Sequence, residues 1–337
     1  YAGDAVARID RKKKVVQAES GREVGYDRLL LATGSNPFMI PIPGIDMKGV
    51  VTFRDIYDVD TMLDYSSKKK RAVVIGGGLL GLEAANGLSS RGMDVTVVHL
   101  LDTLMERQLD KSASDLLRAS LEGRGLKFLM PAQTEEILGV DGHVTGLKFS
   151  DGSVIDTDLV VMSVGIRPNT KLASDAGLHC ERGVMVDDTL QTYDPSIYAV
   201  GECVQHRQAV YGLVAPLWEQ AKVCASHLAQ EGRARYSGSV TSAKLKVSGV
   251  DLFSVGDIQA CEQSETLEFR DLRSGVYKKL IIRDNQVAGA VLYGDVADGA
   301  WYFDLLINGA DVTDIRDTLI FGKAFCQNND NQGSVAA

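Results

Sequence analysis

The sequence predicts an α/β protein of several domains, and three observations lead there. The stretch "RAVVIGGGLLGLEAANGLSSRGMDVTVVHL" (71–100) runs from an apolar segment through a glycine cluster and a small-residue helical pattern into a second apolar segment. On either side lie apolar strands that exit through glycine, "LLLATGSNP" (29–37) and "YAVGEC" (198–203). From Lys244 onward, strand-like runs alternate in places and close on a helical pattern, which marks a separate small α+β domain.

The central stretch carries the chemistry. A strand of Val73, Val74 and Ile75 meets Gly76-x-Gly78-x-x-Gly81, and a helix is expected over Leu79–Arg91, then a strand over Asp94–Val98. A bare glycine pattern is a weak signal, but in this strand–turn–helix–strand setting it is the fingerprint of a dinucleotide site. Gly76 allows the tight turn, Gly78 lets a pyrophosphate approach the backbone, and Gly81 lets helix and strand pack closely. The helix start at Leu79 and Leu80 then offers free N–H groups and a positive dipole end to the phosphates. Such units usually place an acid about 20 residues past the fingerprint, where it accepts the ribose hydroxyls and repels a 2′-phosphate. Here that place holds His99, and no arginine follows it at once, since Leu100, Leu101 and Asp102 come next. A neutral imidazole accepts one bond only, so NADH is expected over NADPH, loosely enforced.

The flanks follow in order. "VQAESGREVGYDRLLLATGSNPFMIPIPG" (16–44) gives a strand, a turn at Ser20-Gly21 and a buried strand Leu29–Ala32, then prolines at 37, 41 and 43 that force an extended connection. "SVGIRPNT" (163–170) leaves another buried strand, Leu159–Met162. "QTYDPSIYAVGEC" (191–203) delivers Gly201 and Glu202 from the strand Ile197–Val200, and a helix is expected from Pro216. In the third region, Trp301, Tyr302 and Phe303 read as helical core rather than interface.

Composition bounds the classes. At 337 residues, 45% hydrophobic and with a formal charge of −9, the chain suits a large-cored protein without nucleic acid or anionic membrane as partner. No apolar run approaches the roughly 20 residues that cross a bilayer. The run Lys68–Arg71 reads as a solvated helix end. Cys180, Cys203, Cys224, Cys261 and Cys326 lie far apart, which disfavours a disulfide framework or metal ribbon and points to a cytoplasmic setting. Cys203 reads as a buried filler, Cys326 as a thiol in a polar tail. No metal site is expected.

The ordered motifs "LLLATGSNP", "VIGGGLLGLEAA", "SVGIRPN" and "TYDPSIYAVGEC" together resemble the flavoprotein pyridine-nucleotide reductases with two dinucleotide-binding domains, over Asp4 to about Leu228. In that family an FAD domain is split in sequence around an inserted NAD(P)H domain. The resemblance implies a truncated first segment of the FAD domain at 1–54, an NAD(P)H domain at 55–157 and a second FAD-domain segment at 158–238. An α+β domain at 239–322 and a linker at 323–337 complete the chain. The family's first glycine fingerprint belongs upstream of Tyr1, so the N-terminal FAD βαβ unit is expected to be missing here and flavin to be poorly held by this stretch alone. The resemblance places Ala32, Thr33 and Gly34 near the FAD adenosine, and Gly201 and Glu202 at the ribityl chain, where most relatives carry Asp. Leu217 and Trp218 start the helix that faces the flavin's pyrimidine edge. The same resemblance implies that Val164 and Gly165 lie beside the nicotinamide, and that Glu83 helps to position it or pairs with a basic residue.

Three further stretches, "VVHLLDTLMERQLD", "VYGLVAPLWEQAKVCASHL" and residues 275–322, resemble the reductase module of siroheme-dependent NAD(P)H nitrite reductases. That implies electron flow from NADH through flavin to an iron–sulfur cluster and siroheme elsewhere in the intact protein, with acceptor modules or a small subunit as partners and a possible homodimer. The other readings are a rubredoxin or ferredoxin reductase, an NADH oxidase or peroxidase, and a non-enzymatic NADH sensor.

Overall fold

A computed structural model describes residues 1–229, 232–245, 247, 249–271 and 273–327. The chain divides into two compact units, Tyr1–Phe38 with Ile166–Thr241, and Met39–Gly165 with Ser242–Ala337.

In the first unit the apolar run Leu29–Leu31 pairs in parallel with Ile197–Ala199, Leu31 opposite Ala199. A meander of Val6–Asp10, Val15–Ala18 and Glu23–Gly25 precedes them, and turns through Ser20-Gly21 as the sequence predicts. Ile166–Pro168 pairs antiparallel with Ser35–Pro37. Ile9, Leu31, Val184, Leu190, Ile197 and Cys203 form the core. Cys203 is fully buried, its Sγ 3.3 Å from the Val200 carbonyl. The helix runs over Val214–Leu228 and begins before Pro216. First-turn N–H groups have no helical acceptor, so a proline is tolerated anywhere in that turn.

The second unit holds a parallel sheet in the order Val50–Thr52, Leu159–Met162, Arg71–Ile75, Asp94–Val98, Lys127–Leu129. Successive side chains of a strand point to opposite faces, and the burial follows this. Ala72, Val74, Leu159 and Val161 pack on one side with Leu82 and Ala85 of the helix Leu79–Ser89. Val73, Ile75, Val160 and Met162 pack on the other with Ile137, Leu147 and Phe149, from the antiparallel strands Thr134–Val140 and His143–Phe149. A sheet buried on both faces needs continuous apolar strands, which is what these sequences supply.

The domain organisation differs from the sequence reading. Leu159–Met162 and Val50–Thr52 belong to the fingerprint's sheet, so the inserted unit covers 39–165 rather than 55–157. An apolar run carries no local mark of which sheet it joins. The fingerprint helix ends at Ser89 rather than Arg91. The third region is an antiparallel sheet, Ser242–Lys244, Leu252–Gly256, Gln286–Tyr293, Val276–Arg283 and Glu265–Asp271, with the helix Gly299–Ile307, and it shares a unit and a core with the parallel sheet. Tyr302 is fully buried and donates to the Leu319 carbonyl at 2.7 Å, while Trp301 and Phe303 are half-buried. Cys326 is buried on the short helix Lys323–Gln327, not in a polar tail. The remainder of the expected linker, 328–337, lies outside the described residues. Among the described residues no helix is long and apolar enough to cross a membrane.

Asp110 ties the helix Lys111–Glu122 to the antiparallel sheet of the third region. Its Oδ1 accepts the Ala113 N–H at 3.0 Å and caps the helix Lys111–Glu122. Its Oδ2 accepts the Tyr277 hydroxyl at 2.6 Å and lies 3.1 Å from Lys279 Nζ, both on the strand Val276–Arg283. Burial raises the carboxyl's pKa, but the bonds from Tyr277, Ala113 and Lys279 outweigh it and hold the group below its ordinary 3.8. Replacing Asp110 with Ala is expected to lower the unfolding free energy by about 2–4 kcal/mol in denaturant titration, from a lost cap and two stranded partners. A folded pKa below the unfolded one means the contribution is complete above about pH 4 and is lost as pH falls through the folded value. The stability gap between wild type and variant should therefore narrow on acidification below about pH 4; a gap that widens there contradicts this role for Asp110.

Candidate functional site

The fingerprint turn sits at the carboxyl end of the strand Arg71–Ile75, beside the end of Leu159–Met162. Its four glycines are glycines for different reasons. Gly76 has φ +122, and a Cβ there would come within 2.0 Å of the Ser163 carbonyl oxygen. A Cβ on Gly81 would meet the Gly76 oxygen, also at 2.0 Å. A Cβ on Gly77 would lie 2.6 Å from Leu104 Cδ2 and 2.8 Å from His99 Cγ. Gly78 is unlike them: φ −82 and ψ −178 suit any residue, and an added Cβ meets nothing within 4 Å. Neither the backbone nor the packing explains its missing side chain; what the bare position leaves is open backbone that a ligand could approach closely.

Gly78 is the N-cap of Leu79–Ser89, and that helix has no side-chain cap and no acid in its first turn. The N–H groups around Leu79 and Leu80 thus form a positive helix end, with Leu80 41% exposed. The Ser163 N–H bonds the Ile75 carbonyl at 2.8 Å, which sets Val164 and Gly165 (φ +111) next to the turn. Two strand ends and an uncapped helix at the carboxyl edge of a parallel sheet are where such sheets bind ligands. Glu83 lies in the second turn of the helix, half-buried, beyond the acid-favouring first turn.

His99 follows its strand as expected, but it faces inward. Its Nδ1 accepts the Gly77 N–H at 3.1 Å, and its Nε2 lies 3.1 Å from the Thr103 carbonyl and 3.4 Å from Glu106 Oε2. A backbone N–H only donates, so Nδ1 is unprotonated and the neutral ring carries its proton on Nε2. Both nitrogens are engaged within the chain, which differs from an imidazole turned toward a ribose. No local pattern signals that the segment after His99 folds back to meet it.

In the first unit, parallel pairing brings two glycine exits side by side. Ala32-Thr33-Gly34 and Val200-Gly201-Glu202 leave adjacent strands, joined by the Val200 N–H to the Leu31 carbonyl at 3.0 Å. Gly34 (φ +66) and Gly201 (φ +94) adopt the left-handed region that favours glycine. The Thr33 hydroxyl donates to the Asn169 carbonyl at 2.7 Å, and the Ser35 hydroxyl holds Glu202 Oε2 at 2.8 Å. Gln220 Oε1 accepts the Gly201 N–H at 2.9 Å and so fastens the helix Val214–Leu228, with Leu217 and Trp218, to this turn. That helix also lacks a side-chain cap, and Trp218 is 66% exposed.

Sequence reasoning passed over Ser35, Asn169 and Gln220. Gln220 left a trace: Pro216, Gln220 and Cys224 are the buried positions of their helix, a stripe at fourfold spacing with a polar residue at its centre. Its Nε2 is buried and has no hydrogen-bond partner among the described residues.

Gly78→Ala is expected to fold with stability within about 1 kcal/mol of wild type, while NADH affinity in a fluorescence titration falls tenfold or more, about 1.4 kcal/mol. Gly81→Ala should instead lose about 2 kcal/mol or more of stability, because the backbone must move. Unchanged NADH binding in folded Gly78→Ala removes the nucleotide from this turn.

Comparison with known proteins identifies the family. Residues 1–227 match the pyridine nucleotide-disulphide oxidoreductase family, and residues 242–310 match the rubredoxin NAD+ reductase C-terminal domain. The nitrite reductase (NAD(P)H) of Bacillus subtilis (strain 168) is 52% identical over 314 residues, 93% of this chain and 39% of that protein. The assimilatory nitrate reductase electron transfer subunit of the same organism is 43% identical over 320 residues, 95% of this chain and 41% of that protein. The chain thus spans about two-fifths of the length of these curated relatives. A crystal structure of an FAD-dependent pyridine nucleotide-disulphide oxidoreductase from Desulfovibrio vulgaris superposes with a TM-score of 0.81 at 26% identity, over 98% of this chain and 89% of that one. Since the family match runs through both compact units, the chain belongs to the pyridine nucleotide-disulphide oxidoreductase family.

Proposed function

We propose that this chain is the NADH-oxidising flavin module of a larger electron-transfer enzyme, one that reduces nitrite to ammonium. The observation that carries the reading is the repetition of one device: each unit joins strand-end glycine turns to a helix that starts without a side-chain cap. One such device suits a nicotinamide dinucleotide, two suit a second dinucleotide as well.

The residues fit both groups. Toward NADH, Gly76, Gly78 and Gly81 give the phosphates access to the N–H groups at Leu79 and Leu80, Val164 and Gly165 border the nicotinamide, and Glu83 orients it. Toward FAD, Ala32, Thr33 and Gly34 border the adenosine side, and Glu202, held by Ser35, accepts from the ribityl hydroxyls. The helix end that carries Leu217 and Trp218 favours negative charge on a reduced ring. The buried Gln220 Nε2 is a donor in search of an acceptor, which a flavin's polar edge offers. FAD, when bound, supplies a two-electron acceptor for the NADH hydride and a one-electron donor to the next centre.

The onward acceptors, an iron–sulfur cluster and siroheme, fall in this reading to the portion of the intact protein that the chain does not span, or to a small subunit; the names of the relatives support it. A cytoplasmic setting and a homodimer belong to the same proposal, the former in keeping with five free cysteines. A second reading, a rubredoxin or ferredoxin reductase, is favoured by the match of residues 242–310.

The intact protein is expected to purify yellow and to bleach when NADH is added without oxygen. Glu202→Ala should release flavin about ten- to a hundredfold more readily, as loss of a charge-assisted bond predicts, with the released FAD read by fluorescence. NADH oxidation that depends on nitrite supports the first reading; fast reduction of added rubredoxin with no response to nitrite supports the second. A folded, colourless protein that takes up no FAD defeats both.

A further inference from the structure

The dinucleotide reading leaves a gap at the ribose, because the strand-end position holds His99 and both His99 nitrogens are engaged inside the chain. The structure fills that gap from further along the sequence. After Asp94–Val98 the chain turns back on the fingerprint. Met105 adopts φ +50, which non-glycine residues rarely do, and its N–H donates to the Gly77 carbonyl at 3.0 Å. Leu104 and Met105 are buried to 0% and 1% exposure, which fixes the return. Gly77 is thus held on both sides, its N–H by His99 and its carbonyl by Met105.

The next residue is Glu106. Its Oε2 stands 3.4 Å from His99 Nε2, the ring nitrogen that carries the proton, and its side chain is 39% exposed. It is therefore both anchored and reachable. The His99 contact holds the Glu106 carboxyl below its ordinary pKa, with Arg107 adding a smaller pull, so it is a full carboxylate near neutrality.

We infer that Glu106, presented by His99 beside the Gly76–Gly78 turn, is the acid that accepts the adenine-ribose hydroxyls and repels a 2′-phosphate, and so decides between NADH and NADPH. The inference rests on the reading that this turn binds a nicotinamide dinucleotide. A carboxylate offers about four acceptor sites, enough to serve two hydroxyls while one oxygen faces the imidazole. Two neighbours compete for the role. Asp102 is exposed and its Oδ1 accepts the Thr103 hydroxyl at 2.8 Å, which turns it to its own loop. Arg107 is exposed and of the opposite sign, the residue a 2′-phosphate would seek. The observed placement favours Glu106, the residue in contact with the group that holds the turn.

The test uses the intact protein with Glu106→Gln and Arg107→Ala, comparing kcat/KM for NADH and NADPH beside binding titrations and melting temperature. Glutamine still accepts hydrogen bonds but carries no charge, so Glu106→Gln should shift the NADH-to-NADPH ratio about tenfold toward NADPH, chiefly through a lower KM for NADPH. Glu106→Asp should keep most of the original ratio, and Arg107→Ala should leave it in place. An unchanged ratio in folded Glu106→Gln overturns the inference while the dinucleotide reading stands. A ratio that follows Arg107 instead of Glu106 overturns it as well. Failure of the wild-type protein to bind either nucleotide sinks the reading and the inference together.

Discussion

The contact between Gly81 and the Gly76 carbonyl sets the geometry on which the second unit depends. A methyl group at Gly81 would stand 2.0 Å from that oxygen, and one at Gly76 would stand equally close to the Ser163 oxygen. Only bare backbone lets the helix Leu79–Ser89 start close to the strand ends, and this start leaves its first N–H groups without a side-chain cap. The packing below follows: Leu82, Ala84 and Ala85 reach the sheet because the helix comes in close, and they are buried to 2% or less. Folding therefore makes different demands on adjacent glycines, and Gly78 alone among the four answers to neither dihedral nor packing.

A second level of support lies around that turn. His99 and Met105 grip Gly77 from either side, and the segment between them is tied in turn by the Ser114 hydroxyl, which accepts the Leu104 N–H at 2.7 Å. Asp110 then begins the next helix and binds Tyr277 and Lys279 of the antiparallel sheet. The region read from sequence as a separate domain is thus connected, through a half-buried carboxylate, to the stretch that shapes the fingerprint turn. Bonds of this kind hold the turn in a single geometry. In the first unit the same service falls to Gln220 and Ser35, which fix a glycine N–H and a carboxylate by single side-chain bonds.

Local sequence was enough for the α/β class, the fingerprint strand and turn, and the strand Asp94–Val98. These rest on short-range physics: period-two or continuous apolar runs make strands, and glycine marks the places where backbone must bend or be approached. The remaining features came from the assembled fold. Leu159–Met162 and Leu29–Leu31 are alike as apolar runs, yet one joins the fingerprint's sheet and the other pairs with Ile197–Ala199. Partner choice is a property of the whole packing, not of the strand. His99 stands where a ribose-reading acid was expected, but which way its ring turns was settled by the Gly77 N–H and by a left-handed residue, Met105, that no local pattern announces. Glu106 comes to His99 only because the intervening chain folds back and buries Leu104 and Met105, a closure that spacing along the sequence does not encode.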